Sequence, residues 1–240
     1  DKKILYQLQD NISPIETEYE QYEYEQAVIN RFAKYANQQG LLLPNRINDY
    51  IVSLSATYVD VKEEKMVWPE KEQIELFSLA QHYGIPTRLL DFSFDILIAL
   101  FFAVNTHIDA EYVRLYALRV TELQRFGDKI SFHVPQYAHN PNLRAQKGVM
   151  VYLNQIMDFS TSEGKETPII CVPFDKAMSD NFKQAGRLIM PYMYKLDLHK
   201  NIVKDVKSYL FKLGYNYSKV FPGFASIKDT IMQELLLSEE

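Results

Sequence analysis

The chain has 240 residues, 47% of them hydrophobic, which is enough to bury one sizeable core and lies near the upper end of a single domain. A net charge of −5 argues against the concentrated basic surface that displaces counterions from a duplex, and 10 prolines with 8 glycines argue against disorder or fibrous repeats. Cys171 is the single cysteine, so an intrachain disulfide is excluded; a cytoplasmic location and a structural role for this thiol in Ile169-Ile170-Cys171-Val172 are expected.

Asp1-Lys2-Lys3-Ile4 has neither a methionine nor a signal-peptide core, so the N-terminal part is expected to be trimmed or to continue upstream. From Tyr19 to Gln39, the residues Tyr22, Ile29, Phe32, Ala33 and Ala36 share one apolar face, predicting a long amphipathic helix stopped by Gly40. A second helix is expected over Asn45–Ala56. A third is expected over Glu70–Tyr83, opened by Pro69, with Leu76, Leu79, Ala80 and Tyr83 at helical spacing and Gly84 and Pro86 as its stop. Ser93 is the expected cap of the next helix, with Asp95 in its first turn. The apolar run Ile96–Val104 is far shorter than the roughly twenty residues that cross a bilayer, so it reads as a buried helix and no membrane association is expected.

At Tyr112 the periodicity changes to two, through Val113, Leu115 and Ala117. Short β-rich runs follow at Ile130–His133, Val149–Leu153, Ile169–Phe174 and Leu188–Leu196, with a helix expected over Asp175–Ala185 and a loop over 160–166. Helices return at Lys200–Leu213 and Ala225–Leu237. Lys200, Lys204, Lys207 and Lys212 read as a solvated face, and nucleic-acid binding is not expected. Helices before and after a set of strands predict an α+β fold over residues 1–240 as one domain. A mixed or mainly antiparallel central sheet would be flanked by an N-terminal helical region and C-terminal helices.

The closest glycines, Gly214 and Gly223, are too far apart for a phosphate-cradling Gly-rich loop, and no Gly-x-Ser-x-Gly elbow is present. His133 and His139 read as surface polarity, so no metal site is expected. Gln81–Ser93 differs in kind, gathering Gln, His, Tyr, Thr, Arg, Asp and Ser between two apolar helices. On one reading a helix N-terminus beside the planar fork of Arg88 forms an anion pocket that His82 also contacts. On the other, Arg88 pairs with Asp91 across the turn, Thr87 is a turn hydroxyl and Tyr83 belongs to the core.

Gln81-His82-Tyr83-Gly84-Ile85-Pro86-Thr87-Arg88-Leu89-Leu90-Asp91, followed by Ala99 and Phe102-Ala103, resembles the central signature of the FRG-domain family. Asn142-Leu143-Arg144-Ala145-Gln146-Lys147-Gly148 and Phe221-Pro222-Gly223 resemble further elements of that family. The chain departs from the pattern at Phe92-Ser93, where the family commonly carries Trp-Thr. It also lacks the Phe-Arg-Gly motif ahead of the first long helix; Arg125-Phe126-Gly127 has another order and place.

The resemblance implies a protein of bacterial or phage origin and, through a distant likeness to the ADP-ribosyltransferase order, a nucleotide- or NAD-processing effector in bacterial conflict, such as a toxin or phage-defence protein. NAD would be a substrate, with no resident cofactor. Thr87 and Arg88 would border it, His82, Asp91 and Arg144 would complete the ligand-binding set, and Gln146 would hold the catalytic place of a glutamate. The alternatives are a non-catalytic domain that senses a small anionic ligand or binds a protein partner, and a purely structural role in which Arg88 is a buried ion-pair member.

Overall fold

Thr17 opens the first helix, α1 (Glu18–Gln38), with a capping box: Glu20 N–H donates to the Thr17 hydroxyl while the Glu20 carboxylate accepts from Thr17 N–H. The computed structural model describes residues 15–44, 65–106, 109–123, 129–137, 140–158 and 192–238, with 174 and 176. The described chain is α+β, and it divides into two compact units: Asp1–Leu89 with Tyr152–Asp180, and Leu90–Val151 with Asn181–Glu240.

In the first unit, α1 buries Tyr22, Glu25, Ile29, Ala33 and Ala36, spaced three or four residues apart on one stripe. Phe32, expected on this face, is only half-buried. Strand β1 (Lys65–Trp68) leads into α2 (Ile74–His82), which begins four residues later than expected because 70–73 form a turn. Trp68 and Phe77 are fully buried; the Trp68 ring meets Tyr22 edge-on at 4.7 Å and Phe77 at 5.5 Å. Tyr83 is 68% exposed: it follows the last turn of α2 rather than lying on its inner face, so its core assignment is corrected. Gly84, at φ +85, ends the helix in the left-handed region.

In the second unit, β2 (Leu90–Ser93) leads into α3 (Ile96–Asn105), followed by β3 (Tyr112–Leu118), the short α4 (Val120–Leu123), β4 (Ile130–His133), α5 (Pro141–Gln146) and β5 (Gly148–Leu153). The last residues of β5, Tyr152 and Leu153, belong to the first unit, as does β6 (Gln155–Asp158). Strand β7 (Met193–His199) returns to the second unit and continues through a 3-10 turn at Lys200–Ile202 into α6 (Val203–Lys212), α7 (Tyr217–Val220) and α8 (Ala225–Ser238). The expected central sheet is three small sheets: β1–β6 and β3–β7, both antiparallel pairs, and β2-β5-β4, in which β2 and β5 are antiparallel. The core of the second unit joins Phe101 and Val104 of α3 to Val113, Val203, Leu210 and Val220.

The expected cap of α3 is also corrected. Asp95 takes that place, its carboxylate accepting from Leu97 N–H, while Ser93 ends β2. The expectations for Asn45–Ala56, Cys171 and the run Ile169–Phe174, Asp175–Ala185, the 160–166 loop and His139 fall outside the described residues, save Phe174 and Lys176. Among the described residues, no helix is long and apolar enough to cross a membrane.

Candidate functional site

The sequence-predicted residues fall into two clusters, one in each unit. In the first, Glu25 arrives from the middle of the α1 stripe, and the β1–β6 register sets Trp68 opposite Gln155. One Glu25 oxygen accepts from Trp68 Nε1 at 2.7 Å and from Arg88 Nε at 2.8 Å; the other accepts from Gln21 Nε2 at 2.6 Å. Arg88 Nη1 donates to Gln155 Oε1 at 3.2 Å, and the Gln155 amide donates onward to Glu18.

The Arg88 and Glu25 side chains are 17% and 9% exposed. Arg88 thus pairs with Glu25, a carboxylate held in the apolar stripe next to Trp68 that needs a buried counter-charge, whereas Asp91 is exposed on β2. Thr87 behaves as the turn hydroxyl of the local reading, accepting from Leu89 N–H at 3.2 Å and donating to the Gln81 side-chain carbonyl. His82 lies at the end of α2 with its ring edge-on to Tyr83 at 5.2 Å.

The second cluster forms where three separated sequence elements meet at the start of α3. Ser93 pairs with Gly148 across the β2–β5 ladder; its hydroxyl donates to the Gln146 carbonyl at 2.7 Å and accepts from Asp95 N–H at 3.0 Å. Phe94 N–H donates to the Lys147 carbonyl. Lys147 stands at φ +49, letting α5 end and β5 start without a gap. Its ammonium reaches Asp95 at 2.8 Å, and the Tyr215 hydroxyl donates to the same carboxylate oxygen at 3.1 Å.

Burial pushes the Asp95 carboxyl up. The hydrogen bonds from Lys147, Leu97 N–H and Tyr215, with the Lys147 charge, outweigh that effect and hold it below the ordinary aspartate range. Gln146 Nε2 donates to the Val220 carbonyl at 3.3 Å, tying α5 to the end of α7. Next in sequence, Phe221 packs edge-on to Phe102 at 5.7 Å. Arg144 is exposed on α5.

Sequence reasoning missed Glu25, Trp68 and Gln155 around Arg88, and the Lys147–Tyr215 pairing around Asp95. Glu25 carried a usable signal: it is the one acid on a stripe otherwise made of Tyr22, Ile29, Ala33 and Ala36, where a charge must find a partner.

A family model described as the FRG domain matches residues 2–111, just under half of the chain, and that stretch contains the whole Gln81–Asp91 signature. No curated protein matches the chain, and no solved structure does. The resemblance to the FRG-domain family is thus borne out over residues 2–111.

Proposed function

We propose that this chain is a non-catalytic binding module for a protein partner, in which the shared sequence elements act as internal ties. The observation that carries this reading is the closure of Arg88 on Glu25. A guanidinium held along Nε and Nη1 against a buried carboxylate has its charge already matched, and turning it toward a phosphate would strand Glu25 without a counter-charge. Gln146 supports the same reading, because its amide is engaged with a main-chain carbonyl and brings no negative charge to a ribosyl cation. Phe94 and Ile96, exposed on either side of Asp95, offer the apolar contact area that protein recognition uses.

A nucleotide- or NAD-processing function is the second reading, favoured by the gathering of Ser93, Asp95 and Gln146 at the start of α3, whose N-terminal end carries a positive partial charge. On that reading Gln146 orients a ribose hydroxyl and Arg144 receives a phosphate.

Thermal-shift and calorimetric titrations with NAD, ADP-ribose and ATP separate the two, using the wild type, Arg88→Ala and Gln146→Ala. The binding-module reading predicts no saturable stabilisation by any of the three nucleotides and a lowered melting temperature for Arg88→Ala. Saturable stabilisation by NAD or ADP-ribose that Gln146→Ala abolishes would establish the nucleotide reading instead.

A further inference from the structure

Helix α8 is turned the opposite way from an ordinary surface helix. Its buried positions are Ser226 and Gln233, and both polar atoms of the Gln233 side chain lack a hydrogen-bond partner among the described residues. Thr230 lies on the same side, where its hydroxyl accepts from Ser218 N–H of α7 at 2.9 Å. Facing out are Ile227, Ile231, Met232, Leu235 and Leu236, between 43% and 64% exposed, preceded by Phe224 at 93%. Phe224, Ile227, Ile231 and Leu235 recur at steps of three and four, which makes one continuous apolar stripe down the outer face. Burying polar groups while exposing aliphatic ones is unfavourable for the isolated chain, and a partner covering the stripe removes that penalty.

We propose that α8 pairs antiparallel with α8 of a second copy of this chain, about a two-fold axis passing at Ile231. Two features favour a second copy. The stripe is self-matching: antiparallel pairing about Ile231 sets Ile227 level with Leu235 of the other copy and Ile231 against itself, the reciprocity that a two-fold interface requires. The area also fits. The six exposed side chains present on the order of 500 Å² of apolar surface in each copy, so a pair of copies buries about 1,000 Å² in total, which reaches the lower bound for a specific interface. An anionic membrane surface is the poorer occupant, since residues 225–238 carry one lysine, Lys228, against Asp229 and Glu234, the reverse of a basic lipid-binding face. The pairing does not depend on whether the sites around Arg88 and Gln146 bind a ligand.

Sedimentation velocity of the full chain from low-micromolar to submillimolar concentration is the test. The expected result is a reversible shift from 28.1 kDa to twice that mass, abolished by Ile231→Glu, which brings two like charges together at the axis while leaving the far-UV spectrum and the melting curve of the dilute, monomeric chain unchanged. Oxidative cross-linking fixes the geometry. Ile231→Cys alone is expected to form a disulfide-linked dimer. Leu235→Cys alone, with its copies about 12 Å apart along the helices, is expected to fail. A mixture of Leu235→Cys and Ile227→Cys chains is expected to cross-link, with the wild type, carrying Cys171, as the control. A monomer at every concentration, a dimer that survives Ile231→Glu, or cross-linking of Leu235→Cys alone would each overturn the proposal, as would binding to anionic vesicles in place of self-association.

Discussion

Arg88→Ala removes a guanidinium that makes two hydrogen bonds and leaves the buried Glu25 carboxylate with Trp68 and Gln21 as its donors among the described residues. Breaking one side of a buried ion pair costs about 3–5 kcal/mol, and the 17% exposure of the Arg88 side chain puts the expected loss toward the lower figure. For a chain of this length the melting temperature should fall by roughly 6 to 15 °C. Replacing both partners, as Glu25→Leu with Arg88→Leu, removes the stranded charge along with the pair, so it should cost less than the two single changes summed, with a coupling of at least about 1 kcal/mol. Urea unfolding followed by tryptophan fluorescence is the assay, because Trp68 is the sole tryptophan and donates to the same carboxylate. The reasoning fails if Arg88→Ala melts with the wild type, or if the single and double changes are additive.

Asp95 gives a pH prediction. Its carboxyl titrates below the ordinary aspartate value in the folded chain, so the contribution is present above the unfolded pKa of about 3.9 and is lost as pH falls through the folded value. The bonded Lys147 ammonium is held above its ordinary value, chiefly by the hydrogen bond to Asp95, so that contribution is lost as pH rises past about 10.4 and through the folded value. Urea midpoints against pH should therefore fall less steeply in acid for Asp95→Asn than for the wild type; equal slopes would contradict the assignment. Gly148→Ala should destabilise by about 1 kcal/mol, since the added Cβ would stand 3.2 Å from Leu143 Cδ2, and a denaturation midpoint at or above the wild type would show that Leu143 gives way freely. Gln146→Ala should lose about 1 kcal/mol of stability, the worth of one amide-to-carbonyl tie, as read from the same curves.

The signature was legible because its residue types and spacing are unusual; α1 and α6 were legible because their apolar positions repeat at helical spacing, and α3 because it is a continuous apolar run behind a capping residue. What Arg88 does was not legible, because its partner lies 63 positions earlier on a helix and no local spacing relates the two. Sequence proximity pointed to Asp91, whereas the buried partner of Arg88 is the acid already inside the apolar stripe. Strands β1 and β6 escaped for a related reason: each is four residues long and is stabilised by pairing with the other across some ninety residues, so neither carries a periodic run of its own. At the start of α3, Ser93 and Asp95 are both good cap residues, and the choice was settled by strand pairing of Ser93 with Gly148, which leaves Asp95 as the first residue free to cap.

The central claim is that Arg88 is an internal tie, and the most direct measurement is the nitrogen-resolved NMR signal of its Nε–H group, assigned by its loss in Arg88→Lys. The account predicts a resonance protected from solvent exchange, shifted by Glu25→Gln and unmoved by saturating NAD or ADP-ribose. A rapidly exchanging signal, or one that moves saturably with either nucleotide, would contradict it and return Arg88 to a ligand site.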